Sequence, residues 1–278
     1  MVTRSVVLAH GIFRFDQLSV VFKRDFDLEV GPRYFNGIGD FLRAHGFVVD
    51  EPAVNFAGSL EQRAADLRLR LQSVIAALAS ASEKIHIIGH SMGGLDARKV
   101  IADHPEIAAR ISCLTTVGTP HHGTTSGDRA FGLGGGLLIA ALRPIIDLQG
   151  FRDLTTGACR AFNDTIRARE VANGVRYRAV AASEDLRRTT PLLQPTWIQL
   201  DRDEGPSDGI VPVSSQRWVP TLVSDGAAKP VEQLDFPIPA DHLNEVGLWD
   251  PGELLGGVDK ATLQRRVEEF YLHLAMTA

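Results

Sequence analysis

The sequence predicts an α/β fold: a mostly parallel, six-stranded sheet with helices on both faces and a helical lid. Two observations carry this reading. Apolar, β-branched runs alternate along the chain with stretches of helical composition, the pattern of strands joined by crossover helices. One of these junctions, KIHIIGHSMGGLDARKV (84–100), sets a lone serine between glycines where a strand gives way to a helix.

The elements follow in order. SVVLAH (5–10) reads as the first strand, and a helix follows Phe35. FVVDEPAV, from Phe47, is the second strand candidate, and a helix over about 60–79 comes next, with Ser59 as N-cap and Gln62 completing a capping box. KIHIIG is the third strand and the segment after Ser91 its helix. ISCLTTVG (111–118) is the fourth strand, followed by a helix over about 155–171. VRYRAVAA, from Val175, and VEQLDFPI, from Val231, complete the six, and a helix over 259–275 closes the chain. No linker, charge block or internal repeat divides the sequence, so residues 1–278 are expected to form one domain.

Composition narrows the function. Hydrophobic residues make up 44% and charged residues 23%, ordinary values for a globular protein, and a net charge of -5 gives no footing for nucleic acid. Cys113 and Cys159 have neither metal-site spacing nor a disulfide framework and are expected to be free thiols. The first strand starts too close to Met1 for a basic n-region plus an apolar h-region. The expected location is therefore the cytoplasm, or outside the cell after export without a cleaved signal or after trimming.

G-x-S-x-G has three fixed letters and can recur by chance among 26 glycines, but its strand-turn-helix context gives Ser91 a chemical reading. A sharp turn needs Gly89, Gly93 and Gly94 where side chains would collide, and it holds the Ser91 hydroxyl out at the carboxyl edge of the sheet. A serine hydroxyl is a poor nucleophile at neutral pH, so a histidine must take its proton and a carboxylate must orient that histidine. His242, in IPADHLNEVG, follows the last strand on a loop at that edge. Asp208, in GPSDGIVPVSS, sits on an Asp-Gly turn after the fifth strand. Asp185, Asp201, Asp203 and Glu204 are rival carboxylates in what reads as a polar loop facing solvent. For the oxyanion, the amides of Met92, after the serine, and Ile12, after the HG that ends the first strand, are the candidate donors. His10 reads as a buried structural hydrogen bond and His90 as packing against the sheet. His121 and His122 either approach the substrate or shape their loop.

Seven stretches carry a resemblance: AHGIFRFD, YFNGIGDFLRAHG, GHSMGGLDAR, TTVGTPHHGT, DLTTGACRAFND, SDGIVPVSS and DHLNEVG. Together they resemble the bacterial true lipases of family I, the Pseudomonas, Burkholderia and Proteus group, nearly end to end. The resemblance implies an α/β-hydrolase fold lacking its first two strands, the triad Ser91, Asp208 and His242, and Ile12 and Met92 as oxyanion donors. It also implies carboxylic ester hydrolysis, typically of triacylglycerols, beneath a mobile lid. Asn244 and Leu248 stand where those lipases carry calcium-binding aspartate and glutamine, so no metal and no cofactor is expected. The disulfide of the Pseudomonas members is missing, which fits the shorter Proteus-like members.

The lid candidate is 124–155, with Leu137, Leu138, Leu142, Ile145 and Ile146 as its acyl-contacting wall. Its apolar run is too short and too interrupted by Arg143 and Pro144 to span a bilayer, so no transmembrane segment is expected, whereas contact with a lipid–water interface is. A helix packed permanently in the core would show the same pattern. The expected function is a serine lipase or esterase acting on acylglycerols or other fatty acyl esters through an acyl-serine intermediate. The triad leaves the alcohol open, so a phospholipase, thioesterase, polyester hydrolase or transferase shares its logic, as does a non-catalytic lipid-binding relative of the fold.

Overall fold

The computed structural model describes residues 4–12, 33–55, 58–131, 151–250, 257 and 259–278. Strand β1 (Ser5–Ala9) alternates its side chains between two cores, Val6 and Leu8 to one and Val7 and Ala9 to the other, as a strand buried on both faces must. Helix α1 (Ile38–Ala44) and the edge strand β2 (Val48–Asp50) follow, then α2 (Leu60–Ala76), whose N-terminus carries the Ser59/Gln62 capping box expected from sequence. The centre of the molecule is β3 (Ile85–His90), α3 (Met92–Asp103), the short α4 (Pro105–Ala108) and β4 (Ile111–Val117). Beyond it lie α5 (Thr125–Phe131), α6 (Thr156–Ala172), β5 (Arg176–Ala181), α7 (Gln194–Asp203) and α8 (Val213–Gln216). The chain closes with β6 (Thr221–Ser224), β7 (Ala227–Asp235), a 3-10 turn at Asn244–Val246 and α9 (Lys260–Met276).

The strands form one seven-stranded sheet in the order β2-β1-β3-β4-β5-β7-β6, parallel throughout except that β6 runs antiparallel to β7. One face carries α1 and α9, with Ile38, Leu42, Leu263, Val267 and Leu274 in its core. The other carries α2 and α3, with Leu67, Leu71, Val100 and Ile101 in its core, and α6 packs against α3.

Three expectations need correcting. The sheet has seven strands where six were read: Asp225 and Gly226, both at positive φ, close a tight hairpin that adds β6 and starts β7 four residues earlier than its apolar run. The second strand is confined to Val48–Asp50, because at this edge it pairs only with β1. Asp201 and Asp203 lie on helix α7 and not in a polar loop; Pro195 at its start is compatible with a helix because the first N–H groups have no intrahelical partner anyway.

The two cysteines are buried and free, Cys113 in β4 and Cys159 in α6. No helix among the described residues is long and apolar enough to cross a membrane. Leu137, Leu138, Leu142, Ile145 and Ile146 of the lid candidate lie outside the described residues. The flanks of that segment are anchored: Phe151 and Leu154 belong to the core, and Asp128 on α5 accepts from the Thr156 amide at 2.9 Å.

Within the sheet, fully buried His86 on β3 meets Thr115 Oγ1 at 2.8 Å, and burial pulls its imidazole from 6.5 down to about 3. The unfolded chain thus takes up a proton near pH 6.5 that the folded chain refuses until about pH 3, so the contribution of this group to stability is full above pH 6.5 and is lost as pH falls below it. Urea titrations at pH 7 and pH 4.5 should give a smaller loss of stability for His86→Gln than for the unchanged protein.

Candidate active site

Ser91 is the residue between β3 and α3, and its backbone lies at φ 55, ψ -132, a conformation that costs a non-glycine residue about 1–3 kcal/mol. The turn is tight enough that a Cβ on Gly89 would come within 2.7 Å of Gly94 Cα, and one on Gly93 would collide with Ala9 O at the end of β1. The Ser91 amide donates to Val117 O on β4 at 2.9 Å, and Thr119 Oγ1 donates to Ser91 O at 2.8 Å. These bonds hold the serine at the carboxyl edge of β3, where the sequence put it.

His242 and Asp208 meet there. Asp208 Oδ2 accepts from His242 Nδ1 at 2.7 Å, and the His242 amide donates to Asp208 O at 2.9 Å. The second carboxylate oxygen, Oδ1, accepts the amides of Ile210 at 2.8 Å and Val211 at 2.7 Å, while Gln216 Nε2 donates to Oδ2 at 3.1 Å. A carboxylate already fixed by three other donors presents itself to His242 as an acceptor, so the imidazole proton sits on Nδ1 and the lone pair on Nε2. The His242 ring lies 4.5 Å, centre to centre, from the ring of His90, the residue before the serine. Gly11, after β1, backs onto the same point: a Cβ there would lie 2.7 Å from Ser91 Cβ and 3.1 Å from Ser91 Oγ. Ile12 follows it and is buried, and Met92 opens α3, whose first N–H groups have no partner within the helix.

Other histidines and carboxylates resolve as follows. His10 accepts from the Val54 amide at 3.0 Å through Nε2 and donates from Nδ1 to Gly11 O at 2.8 Å, and burial lowers it to about 4, so it is a neutral structural group as expected. His121 is buried, stacked on Trp218 and bonded to Thr116 Oγ1 at 2.9 Å, and His122 Nε2 donates to Trp218 O at 3.0 Å; both shape their loop. Asp203 pairs with Arg129 at 2.6 Å, and Glu204 Oε1 accepts from Thr125 Oγ1 at 2.6 Å.

Sequence reasoning missed three participants. Glu245, three residues after His242 and fully buried, places Oε2 2.9 Å from His90 Nε2 and 3.6 Å from His242 Nδ1. Burial first, then the charge of Asp208, raises its carboxyl well above the ordinary range, while burial drives His90 well below its own. The proton therefore stays on Glu245 and is donated to His90, whose Nδ1–H faces Tyr34 Oη at 2.7 Å. Tyr34 is the second; His90 is the hub of a polar cluster and not merely packed against the sheet. Third is Arg63, which sits buried under the loop after β1, donating to His10 O at 2.8 Å and to Asp96 Oδ2 at 2.7 Å. An Asp or Glu three residues after a loop histidine, and an arginine on an otherwise apolar helix face, were the available signals.

The residues do not fit a calcium cage near His242. Asn244 spends its amide on the chain itself, accepting from the Asp241 amide at 3.0 Å and donating to Leu248 O at 2.9 Å. Asp241 takes three backbone amides, from Thr190 at 2.7 Å, Leu243 at 2.9 Å and Asn244 at 3.0 Å, and burial raises it to about 6. Calcium prefers charged, multiply free oxygens.

Against known proteins, a model described as PGAP1-like alpha/beta domain matches residues 55–130. Triacylglycerol lipase 2 of Saccharomyces cerevisiae is 30% identical over 188 residues, covering 66% of this chain and 57% of that protein. The triacylglycerol lipase of Vibrio cholerae is 31% identical over 128 residues, covering 46% of this chain and 36% of that protein. The chain thus spans less than two thirds of the length of these curated relatives. Among solved structures, a mature Bacillus licheniformis lipase superposes with a TM-score of 0.64 at 17% identity, covering 94% of this chain and 92% of that one. A metagenomic carboxyl esterase gives 0.66 at 19%, covering 98% and 75%. The fold is that of the α/β-hydrolases.

Two outcomes follow from this geometry. Arg63→Met strands Asp96 in the interior, and breaking a buried pair from one side costs about 3–5 kcal/mol; urea unfolding should show a loss of that order, and replacing Asp96 by leucine in the same chain should recover much of it. Adding calcium chloride to the metal-free protein should leave the melting temperature unchanged, because Asn244 spends its side chain within the loop bearing His242.

Proposed function

We propose that this chain is a serine carboxylic ester hydrolase of the lipase/esterase type that cleaves acylglycerols or other fatty acyl esters, akin to the bacterial true lipases of family I. The observation that carries the reading is the 2.7 Å contact of Asp208 with His242 at the sheet edge where Ser91 is held in a strained turn. In this mechanism Ser91 Oγ attacks the ester carbonyl while His242 Nε2 takes its proton. Asp208 keeps the Nδ1 tautomer and stabilises the imidazolium that forms. The N–H groups of Met92 and Ile12 receive the oxyanion, His242 returns the proton to the leaving alcohol, and water releases the acid from acyl-Ser91 by the same steps reversed. The names of the relatives support a glyceride as the alcohol part, and a long-chain substrate brings the protein to a lipid–water interface.

Ser91→Ala deletes the nucleophile with little change in packing, so hydrolysis of p-nitrophenyl butyrate and of emulsified tributyrin should fall by orders of magnitude; in a serine protease, loss of this group costs on the order of a millionfold. A fluorophosphonate should add to Ser91 alone, read by mass spectrometry. Labelling at another residue, or activity kept by the alanine variant, overturns the reading.

A further inference from the structure

We propose that His90, His242, Glu245 and Asp208 form a binding site for one divalent transition cation of the zinc type, and that the cation halts hydrolysis by taking Nδ1 of His242. The inference rests on the hydrolase reading for its effect on activity, but the site itself stands on geometry.

One ligand atom from each of His90, His242 and Glu245 falls within 4.8 Å of the others. Glu245 Oε2 lies 2.9 Å from His90 Nε2 and 3.6 Å from His242 Nδ1, and Asp208 Oδ2 is 2.7 Å from the same Nδ1. A tetrahedral ion with bonds of about 2.0–2.1 Å sets its ligand atoms roughly 3.3 Å apart. These three separations straddle that edge, and the His90 and His242 nitrogens lie within 4.8 Å of each other. Glu245 Oε1 is buried and has no hydrogen-bond partner among the described residues, leaving a further oxygen for the ion.

Charge and chemistry agree. Two carboxylates balance a dication, so a buried site becomes neutral once the ion is in. Two imidazoles select zinc, copper or cobalt over calcium and magnesium, which ask for oxygen alone. The surrounding groups are already those of a metal site: Tyr34 Oη meets His90 Nδ1 at 2.7 Å, the far side of its ring, and Tyr271 Oη donates to Glu245 O at 3.0 Å.

The exchange balances without any redox step. The ion forms bonds to His90 Nε2, to a Glu245 oxygen and to His242 Nδ1, with Asp208 Oδ2 as the fourth ligand. The Glu245 proton leaves to solvent. The His242 proton moves from Nδ1 to Nε2, with one proton released per cation bound. His242 then carries hydrogen on the nitrogen that must accept the proton of Ser91, so the serine is not activated.

The test begins with protein dialysed free of metal and titrated with cobalt chloride. Visible ligand-field bands of a tetrahedral nitrogen–oxygen site should grow to one equivalent and vanish on adding zinc chloride. In parallel, zinc chloride should suppress p-nitrophenyl butyrate hydrolysis and fluorophosphonate labelling of Ser91, EDTA should restore both, and magnesium or calcium chloride should do neither. Glu245→Gln and His90→Asn, each checked for native circular dichroism, should weaken cobalt binding at least about tenfold. Absence of the bands in the unchanged protein overturns the proposal whatever the variants do, and so does equal binding by both folded variants. Bands in a protein that neither hydrolyses esters nor labels at Ser91 support the metal site and remove the hydrolase reading instead. Hydrolysis indifferent to zinc, without bands, leaves the hydrolase and removes the metal site.

Discussion

Everything at the candidate site depends on one peptide turn that the chain would not adopt if left to itself. Ser91 at φ 55 is tolerated because β3 and α3 are both locked in place: the strand lies between β1 and β4, and the helix has glycine where it crosses the end of β1. The strain is local, and the restraint is distributed over the sheet and both of its faces. The first, third and fourth strands and α3 are accordingly buried almost throughout.

The polar groups that are buried sort by what they hold. Arg63 and Asp96 tie the loop after β1 to α2 and α3. Arg98 does similar work on the far side, sharing Glu170 Oε1 at 2.8 Å, Asn163 Oδ1 at 2.8 Å and the face of Trp218 at 3.9 Å, so that α3 is bolted to α6. Gln216 bridges Ala182, at the end of β5, and Asp208. Each pairing offsets the cost of taking a charge or an amide out of water, and the Gln216 bridge reaches Asp208 itself.

How much of this the sequence disclosed follows from the range of each interaction. The strands and major helices were legible because their signals are local: β-branched runs, the Ser59/Gln62 box, the glycines around Ser91. Asp208 and His242 were legible because chain order and loop position constrain them, and the structure brings them within one hydrogen bond. The hairpin at β6 was missed because its strand is only four residues long and starts directly after Pro220, while Pro230 breaks the run of its partner β7, so no run of alternating residues announced it. Glu245, Tyr34 and Arg63 were missed for another reason. Their meaning lies in contacts across the fold, such as the pairing of residues 90 and 245, which no local pattern encodes.

The ends of the sheet bear on a different matter, the behaviour of the protein toward copies of itself. A seven-stranded sheet has two open edges, and each edge strand offers unpaired amides and carbonyls to any extended chain that meets it. Among the described residues the edges are β2, of three residues, and β6, of four. Val48 at one and Val223 at the other are 68% and 57% exposed, apolar side chains that would favour docking if the strands were long. Kept this short, neither edge can align more than a pair or two of hydrogen bonds with a neighbour. The sheet can therefore keep a broad, almost wholly parallel core, which is slow to assemble, without offering a template for edge-to-edge stacking once it has formed.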